Sequence, residues 1–157
     1  MDERTYMDGV LRCEQKLYRV AYSILLNDQD AADAIQEAVL KGWRARFRLR
    51  DPEKLESWLV RIVVNECRNL QRRMKNRPRP IDERFDAAGE PPPDIGLAEA
   101  IRKLPEKYRL LIVLHYAEGY SMREVARIQR ISEELVKSRL RQARDALREL
   151  LSREVVG

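Results

Sequence analysis

The sequence predicts an all-α protein made of two small helical domains joined by a proline-rich linker. Apolar residues recur every three or four positions along most of the chain, and no segment shows the alternation of a half-buried strand. Five of the seven prolines fall within residues 76–96, where a helix could not continue. A chain of 157 residues can form one ordinary domain or two small ones. We therefore expect domains over 1–75 and 97–157 and a linker over 76–96, since a loop of that length inside one domain would be uncommon.

Three helices are predicted in the N-terminal domain, each from a stripe of apolar residues. The first stripe consists of Val10, Leu17, Ala21 and Leu25. The second consists of Ala31, Ile35, Ala38, Val39, Gly42, Trp43 and Phe47. The third consists of Leu55, Trp58, Leu59, Ile62, Val63, Leu70 and Met74. We expect Asp28 or Asp30 to cap the second helix, and Asp51 followed by Pro52 is a strong start signal for the third.

The C-terminal domain is also predicted to be helical. Pro105 should start a helix that ends at Gly119, because proline suits a first turn and glycine the residue after a last turn. Ser121 and Glu124 have the spacing of a capping box, and the last helix should start at Ser132. The apolar stripe of that last helix consists of Val136, Leu140, Ala143, Leu147 and Leu150.

Residues 119–151 have the pattern of a helix-turn-helix, in which the second helix enters the major groove of DNA. With the apolar stripe facing the core, a set of polar side chains projects outward from the last helix. This set consists of Lys137, Ser138, Arg141, Gln142 and Arg144, with Arg139 near its edge. Such side chains can bond base edges or phosphates. The alternative is a basic amphipathic helix that packs on an acidic protein.

The distribution of charge favours a polyanionic partner more strongly than the formal net charge of +5 does. Basic residues without any acidic neighbour occupy residues 41–50, 68–80 and 137–144. A single run of this kind is usually a solvated face, but three such runs in one chain indicate nucleic-acid binding.

A second candidate surface lies on the third predicted helix. It carries Trp58, Arg61, Asn65, Arg68, Asn69, Arg72, Arg73 and Lys75. Cations beside an aromatic ring and amides suit a separated nucleic-acid strand, whose backbone needs positive charge and whose bases need planar or amide partners. The alternative role for Trp58 is a place in the core.

Catalytic, metal and membrane functions have little support. The single histidine, His115, lies on a predicted core-facing helix, and no glycine-rich phosphate loop or nucleophile motif is present. Cys13 and Cys67 match no metal or redox spacing, so we expect buried or half-buried thiols in a reducing compartment. No window is apolar enough to span a membrane, and the N-terminus lacks the apolar core of a signal peptide. We expect a cytoplasmic protein that is not an enzyme and needs no metal or cofactor.

Three segments of the chain resemble the bacterial sigma factors of the extracytoplasmic-function class, in the sigma-70 family. They are LYRVAYSILLNDQDAADAIQEAVLKGWRA (17–45), SWLVRIVVNECRNLQRR (57–73) and LPEKYRLLIVLHYAEGYSMREVARIQRISEELVKSRLRQARDALREL (104–150). The N-terminal domain is similar to sigma region two, a three-helix bundle, and the C-terminal domain to sigma region four, a helix-turn-helix domain. The combination is specific, whereas the last segment alone would also fit other helix-turn-helix regulators.

The resemblance implies a sigma factor that binds core RNA polymerase and directs it to promoters, opens the DNA and starts transcription of a stress or envelope regulon. It implies an inhibitory anti-sigma factor as a further partner. The polymerase-binding residues implied are Asp33, Gln36 and Glu37. Those for the minus-ten element are Trp58, Arg61, Asn65, Arg68, Asn69 and Arg72, with a flipped base held by the loop 47–56. Those for the minus-thirty-five element are Lys137, Ser138, Arg139, Arg141, Gln142 and Arg144, of which Arg139 and Arg144 would hold phosphates.

The chain departs from the family pattern at the turn of the helix-turn-helix and just after it. Arg130 stands where such turns often carry glycine, and a left-handed conformation there would cost about 1 kcal/mol. Glu134 and Leu135 replace a pair of small residues. Two other hypotheses are a dimeric stand-alone regulator, which would bind duplex tightly without polymerase, and a helical adaptor, which would show no salt-sensitive DNA binding.

Overall fold

The computed structural model describes residues 1–75 and 96–156, the last four of these by their backbone alone. The chain forms two compact units, Met1–Arg79 and Pro80–Gly157. We call them the N-terminal unit and the C-terminal unit. Apart from Gly96, the predicted linker lies outside the described residues. All regular structure in the described ranges is helical.

The N-terminal unit is a bundle of the three helices that the sequence predicts. They are α1 (Glu3–Leu25), α2 (Asp28–Arg44) and α3 (Leu55–Arg73), and each packs against the other two. Leu17 of α1 and Leu59 and Val63 of α3 have no exposed surface. Burying such side chains provides roughly 1.5–3 kcal/mol each, which is the main stabilising term in a bundle of this size.

The cap of α2 differs from the prediction. Asn27, rather than Asp28 or Asp30, is the N-cap, and its side chain accepts a hydrogen bond from the backbone N–H of Asp30 at 3.0 Å. Asn27 has the extended backbone of a cap, whereas both aspartates already belong to the first turn. There their negative charge lies near the positive end of the helix.

The connection between α2 and α3 consists of two short 3₁₀ turns, Arg46–Arg48 and Pro52–Lys54. The second turn runs directly into α3, and the Asp51 carboxylate accepts a hydrogen bond from the N–H of Glu53 at 3.0 Å. The predicted start signal is therefore confirmed. The prediction for Phe47 is wrong: α2 ends at Arg44, so Phe47 leaves the apolar stripe and its side chain is 75% exposed.

The C-terminal unit packs three helices around one long helix. They are α4 (Leu97–Lys103), α5 (Glu106–Ile112) and α6 (Met122–Gln129), and all three contact α7 (Glu133–Val156). A π-helical turn, Val113–Ala117, extends α5. The sequence did not predict α4, whose two turns are too short to be stable without packing. Val136, Leu140 and Ala143 of α7 are fully buried, as predicted.

Two predicted signals of this unit are confirmed, the stop at Gly119 and the capping box of Ser121 and Glu124, whereas Pro105 is the N-cap of α5 and α7 begins at Glu133 rather than Ser132. Gly119 has a φ of +78° just after the π-helical turn. At the start of α6, the Ser121 hydroxyl accepts a hydrogen bond from the N–H of Glu124, whose carboxylate accepts one from the N–H of Ser121. This reciprocal capping box satisfies two N–H groups that the helix itself cannot pair.

Candidate nucleic-acid and polymerase interfaces

The turn between α6 and α7 has the geometry of a helix-turn-helix. Arg130 adopts the left-handed conformation, with φ 58° and ψ 44°. The N–H of Ile131 donates to the carbonyl of Ala126 at 3.1 Å, and that of Arg130 donates to the carbonyl of Arg127 at 3.4 Å. These bonds form a Schellman motif, in which glycine is the usual left-handed residue. The hydroxyl of Ser132 accepts from the N–H of Leu135 at 3.1 Å and so caps α7.

The candidate base-reading residues lie on the outward face of α7. Four of them are exposed: Lys137, Ser138, Arg141 and Gln142. Arg139 and Arg144 are half-buried at the two edges of this face. Because the opposite face of α7 is buried against α4, α5 and α6, the exposed four are the part of the helix that a DNA groove could admit.

Two tyrosines bond side chains of this face, which the sequence did not predict. The Tyr108 hydroxyl, on α5, donates a hydrogen bond to Oε1 of Gln142 at 3.1 Å. Nη1 of Arg144 donates to the hydroxyl of Tyr116 at 2.9 Å. The pairs are 34 and 28 residues apart in the chain, so no local pattern could have revealed them.

Arg109 is a buried cation that supports the same unit. Its side chain is 6% exposed, and Nη1 donates to the carbonyl oxygen of Leu104 at 2.7 Å, next to the end of α4. Burial lowers the pKa of the guanidinium, which Glu106 partly opposes. An arginine this well bonded and buried joins α4 to α5 rather than binding a ligand.

The candidate strand-binding residues share one face of α3. Arg61, Asn65, Arg68 and Arg72 are exposed, and Trp58 and Asn69 are half-buried. At about 100° of rotation per residue, these six positions fall within an arc of about 100°. The face is therefore narrow, basic and amide-bearing, and Trp58 lies partly in the core at one end of it.

A buried carboxylate helps to hold this face in place. The Glu66 side chain is 2% exposed and forms an ion pair with Nζ of Lys41 on α2 at 2.6 Å. Nδ2 of Asn69 donates to the same oxygen at 3.4 Å, and Nη2 of Arg72 donates to the Asn69 amide oxygen. The candidate residues Asn69 and Arg72 thus belong to a hydrogen-bonded chain that begins inside the bundle.

The loop before α3 adds cations and an aromatic ring. The Arg46 guanidinium lies 3.6 Å from the centre of the Trp43 ring, and Arg48 lies 5.9 Å from the centre of the Phe47 ring. Nη1 of Arg46 also donates to the Trp43 carbonyl at 2.9 Å. These contacts leave Phe47 as an exposed aromatic ring between two arginines, in the segment expected to hold a flipped base.

The three candidate polymerase-binding residues line one groove between α2 and α3. Its lining includes Asp33, Gln36, Glu37, Leu40, Leu70 and Met74. Leu40 is 45% exposed in the middle of this acidic side of α2. Exposed apolar surface with a polar rim is typical of a protein-binding site.

The side chains of the described ranges give little support to catalysis or metal binding. Nδ1–H of His115 donates to the carbonyl of Tyr120 at 2.7 Å, which is a structural bond. Cys13 and Cys67 are both buried free thiols, as predicted. Within residues 1–75 and 96–156, no cluster of three His, Cys, Asp or Glu side chains could hold a metal, and no helix could cross a membrane.

Comparison with known proteins finds one family match in the N-terminal unit and another in the C-terminal unit. Residues 10–77 match the family model described as sigma-70 region 2, and residues 95–147 match that described as sigma-70, region 4. The extracytoplasmic-function sigma factor SigM of Mycobacterium tuberculosis is 34% identical, over 89% of this chain and 74% of its own length. SigV of Bacillus subtilis is 30% identical, over 90% of this chain and 87% of its own length.

Two solved structures resemble this chain over nearly its full length. One is CnrH in complex with the cytosolic domain of CnrY, with a TM-score of 0.73 and 28% identity over 96% of this chain and 90% of that one. The other is a sigma factor of Bartonella quintana in complex with the anti-sigma factor NepR, with a TM-score of 0.72 and 24% identity over 94% and 96%. At that identity the second comparison supports the fold alone.

Proposed function

Since this chain belongs to the sigma-70 family, in its extracytoplasmic-function class, we propose that its two units divide promoter recognition between them. A sigma factor binds core RNA polymerase and directs it to promoters, and it is an initiation factor rather than an enzyme. The observation that carries the proposal is the match of both family regions, in order, to two units that each expose a basic helical face.

The C-terminal unit is assigned the minus-thirty-five element, which it would bind as duplex. The exposed residues Lys137, Arg141 and Gln142 of α7 would contact base edges, because amide and cationic donors match the acceptors that bases present in the major groove. Ser138 would contact a base or a phosphate. Arg139 and Arg144 would hold phosphates from the edges of the face.

The N-terminal unit is assigned the minus-ten element, which it would bind as a separated strand. The basic face of α3 would hold the backbone, with Asn65 and Asn69 as partners for unstacked bases. Trp58, Arg61, Arg68 and Arg72 complete the assignment. Phe47 gives the preceding loop a ring on which a flipped base could stack, and such stacking would offset the cost of extruding that base.

Core polymerase is assigned the groove between α2 and α3. Asp33, Gln36 and Glu37 line its α2 side together with the exposed Leu40, and Arg73 lines it from α3. Its α2 side would offer carboxylates and an apolar centre to a partner surface with basic groups. This groove and the basic face of α3 lie on different sides of the same helix, which would allow polymerase and DNA to bind at once.

An anti-sigma factor and a cytoplasmic location complete the proposal. The similarity to CnrH, solved with the cytosolic domain of CnrY, supports an inhibitory protein partner for this chain as well. We assign the protein to the cytoplasm because bacterial RNA polymerase works there. A stress or envelope regulon would fit a factor held inactive until a signal releases it.

The test is in vitro transcription from a pool of genomic fragments with core polymerase of the same organism, with and without this protein. New, discrete start sites that require the protein are expected, and their upstream sequences would define both promoter elements. Tight, specific duplex binding by the protein alone, without any new transcript, would overturn the proposal and favour a stand-alone regulator. Absence of salt-sensitive DNA binding would favour an adaptor.

A further inference from the structure

The amide of Gln142 is anchored at one end. Gln142 is exposed on the outward face of α7, yet its Oε1 accepts a hydrogen bond from the Tyr108 hydroxyl at 3.1 Å. Tyr108 is half-buried on α5, and the ammonium of Lys107 lies 5.0 Å from the centre of its ring. The hydroxyl that reaches Gln142 therefore comes from a ring that is itself half-buried.

An anchored amide differs from a free one in what it offers to DNA. A glutamine side chain has an acceptor oxygen and a nitrogen with two donors. Because the bond from Tyr108 turns Oε1 towards α5, the Nε2 group with its two hydrogens is the end turned away from α5 and presented to a ligand. The side chain also has less rotational freedom to lose on binding than an unanchored glutamine would have.

We propose that Tyr108 is a positioning residue that turns Gln142 so that it donates, rather than accepts, at the DNA. This inference rests on the proposed function, in which α7 binds duplex. The group that Gln142 would bind is a hydrogen-bond acceptor on the DNA, either a base-edge atom such as guanine O6 or thymine O4, or a phosphate oxygen. The usual bidentate pairing of glutamine with adenine uses both ends of the amide, and Tyr108 competes for one of them.

The chain contains a matched control elsewhere on α7. The hydroxyl of Tyr116, which is 53% exposed, accepts a hydrogen bond from Arg144. Like the bond from Tyr108 to Gln142, this one joins a tyrosine hydroxyl to a side chain of α7. Gln142 and Arg144 are two positions apart and so point about 200° apart around α7. Removing either hydroxyl deletes one exposed oxygen and keeps the ring, but only Tyr108→Phe releases Gln142.

The experiment uses the full chain with core polymerase on promoters mapped by the transcription assay. Each base pair of the minus-thirty-five element is randomised in turn, and transcripts are counted for wild type, Tyr108→Phe, Gln142→Ala, the double variant and Tyr116→Phe. Thermal unfolding and assembly with core polymerase are measured for every variant, so that misfolding and weak holoenzyme formation are recognised.

Tyr108→Phe is expected to change promoter use by about two- to tenfold, the range of one net hydrogen bond. The change should be absent in the Gln142→Ala background, because residues that act through one contact are not additive. If Gln142 binds a base edge, the change appears at one position, where adenine gains relative to the other bases. If it binds a phosphate, the loss is the same for all sequences. Tyr116→Phe should leave the preference at the Gln142 position unaltered.

Two results would overturn the inference while leaving the proposed function intact. One is a base preference of Tyr108→Phe that is identical to that of wild type although Gln142→Ala alters it. Effects of Tyr108→Phe and Gln142→Ala on promoter use that add up in the double variant count in the same way. The other is a silent Gln142→Ala when Lys137→Ala and Arg141→Ala still change the profile. If none of the α7 variants changes promoter use, the assignment of α7 to the promoter itself fails.

Discussion

Individual cations on α7 have different surroundings, and this decides what each can do. Lys137 and Arg141 are exposed on the outward face, whereas Arg144 is half-buried and donates to Tyr116. An exposed long side chain can reach a base edge, while an anchored one is restricted to groups near its fixed position. Among the cations of α7, we therefore assign the proposed base contacts to this exposed pair.

Replacing Lys137 or Arg141 with alanine should weaken promoter use in a base-specific way. If each reads a base, the loss is about 1–3 kcal/mol and is concentrated at one position of the minus-thirty-five element. The measurement is holoenzyme transcription from single-base variants of a mapped promoter. Lys103→Ala, which removes an exposed cation of α4 instead, is the control. An equal loss on every promoter sequence would leave only a phosphate contact for the residue.

The Cys13 thiol makes the N-terminal unit sensitive to alkaline pH. Burial raises the pKa of Cys13 from 9.0 to about 11 and that of Tyr6 from 10.0 to about 12. The fold therefore favours the protonated forms of both groups. Their contribution to stability is complete below the unfolded pKa values and is lost as pH rises towards the folded ones.

Unfolding of the N-terminal unit should become easier between pH 9 and 11, with about 1–3 kcal/mol of stability lost through Cys13. Both tryptophans, Trp43 and Trp58, belong to this unit, so urea unfolding followed by tryptophan fluorescence reports on it alone. Cys13→Ala should show a shallower loss over the same range. A loss as steep in Cys13→Ala as in wild type would exclude Cys13 as its cause.

At the scale of elements, the turn between α6 and α7 holds a residue in an unfavourable conformation. Arg130 has a positive φ, which brings the Cβ of an L-residue too close to the backbone. The hydrogen bonds of Arg130 and Ile131 to the last turn of α6, and the packing of α7, keep it there. The helix-turn-helix geometry is thus retained without the usual glycine, at some cost in stability.

Arg130→Gly should stabilise the C-terminal unit by about 0.5–1 kcal/mol, since glycine adopts this conformation without the steric penalty. Hydrogen exchange at the amides of Val136 and Leu140 measures the effect, because both lie in the core of α7. Arg127→Gly, at an exposed site inside α6, should instead destabilise the unit by about 0.5–1 kcal/mol. Slower exchange is expected in the first variant and faster exchange in the second; no slowing in Arg130→Gly would argue against strain.

At the scale of the whole molecule, the proposed binding surfaces lie on two small units of one chain. Two linked contacts bind more tightly than either alone, because the second becomes intramolecular. A factor of this kind would bind promoters weakly by itself and act once polymerase fixes both units on the DNA. The same surfaces are open to an inhibitor that covers them.

Pull-down of the tagged full chain from its native cell, without inducing stress, should recover an anti-sigma factor as well as polymerase. The recovered protein, once purified, should block transcription by the reconstituted holoenzyme and should compete with core polymerase for this chain. Recovery of polymerase alone under non-inducing conditions would count against control by an inhibitor.

The sequence by itself determined the helices whose signals are local. Asp51 with Pro52, the Ser121–Glu124 capping box and Gly119 all act within a few residues of where they stand, so their effects were predictable. The apolar stripe of Val136, Leu140 and Ala143 likewise predicted which face of α7 is exposed. Helical periodicity alone places the side chains opposite a buried stripe on the outer face.

Only the tertiary structure decided the features that depend on distant partners. Helix α4 is stabilised by packing on α7, which is distant in the chain, and the nearby Arg109 adds a hydrogen bond to the Leu104 carbonyl. Phe47 could have continued the stripe of α2, but the chain turns after Arg44 to reach α3. The anchoring of Gln142 by Tyr108 joins residues 34 positions apart. Periodicity gives the direction of a side chain, whereas its partner is set by how the helices pack.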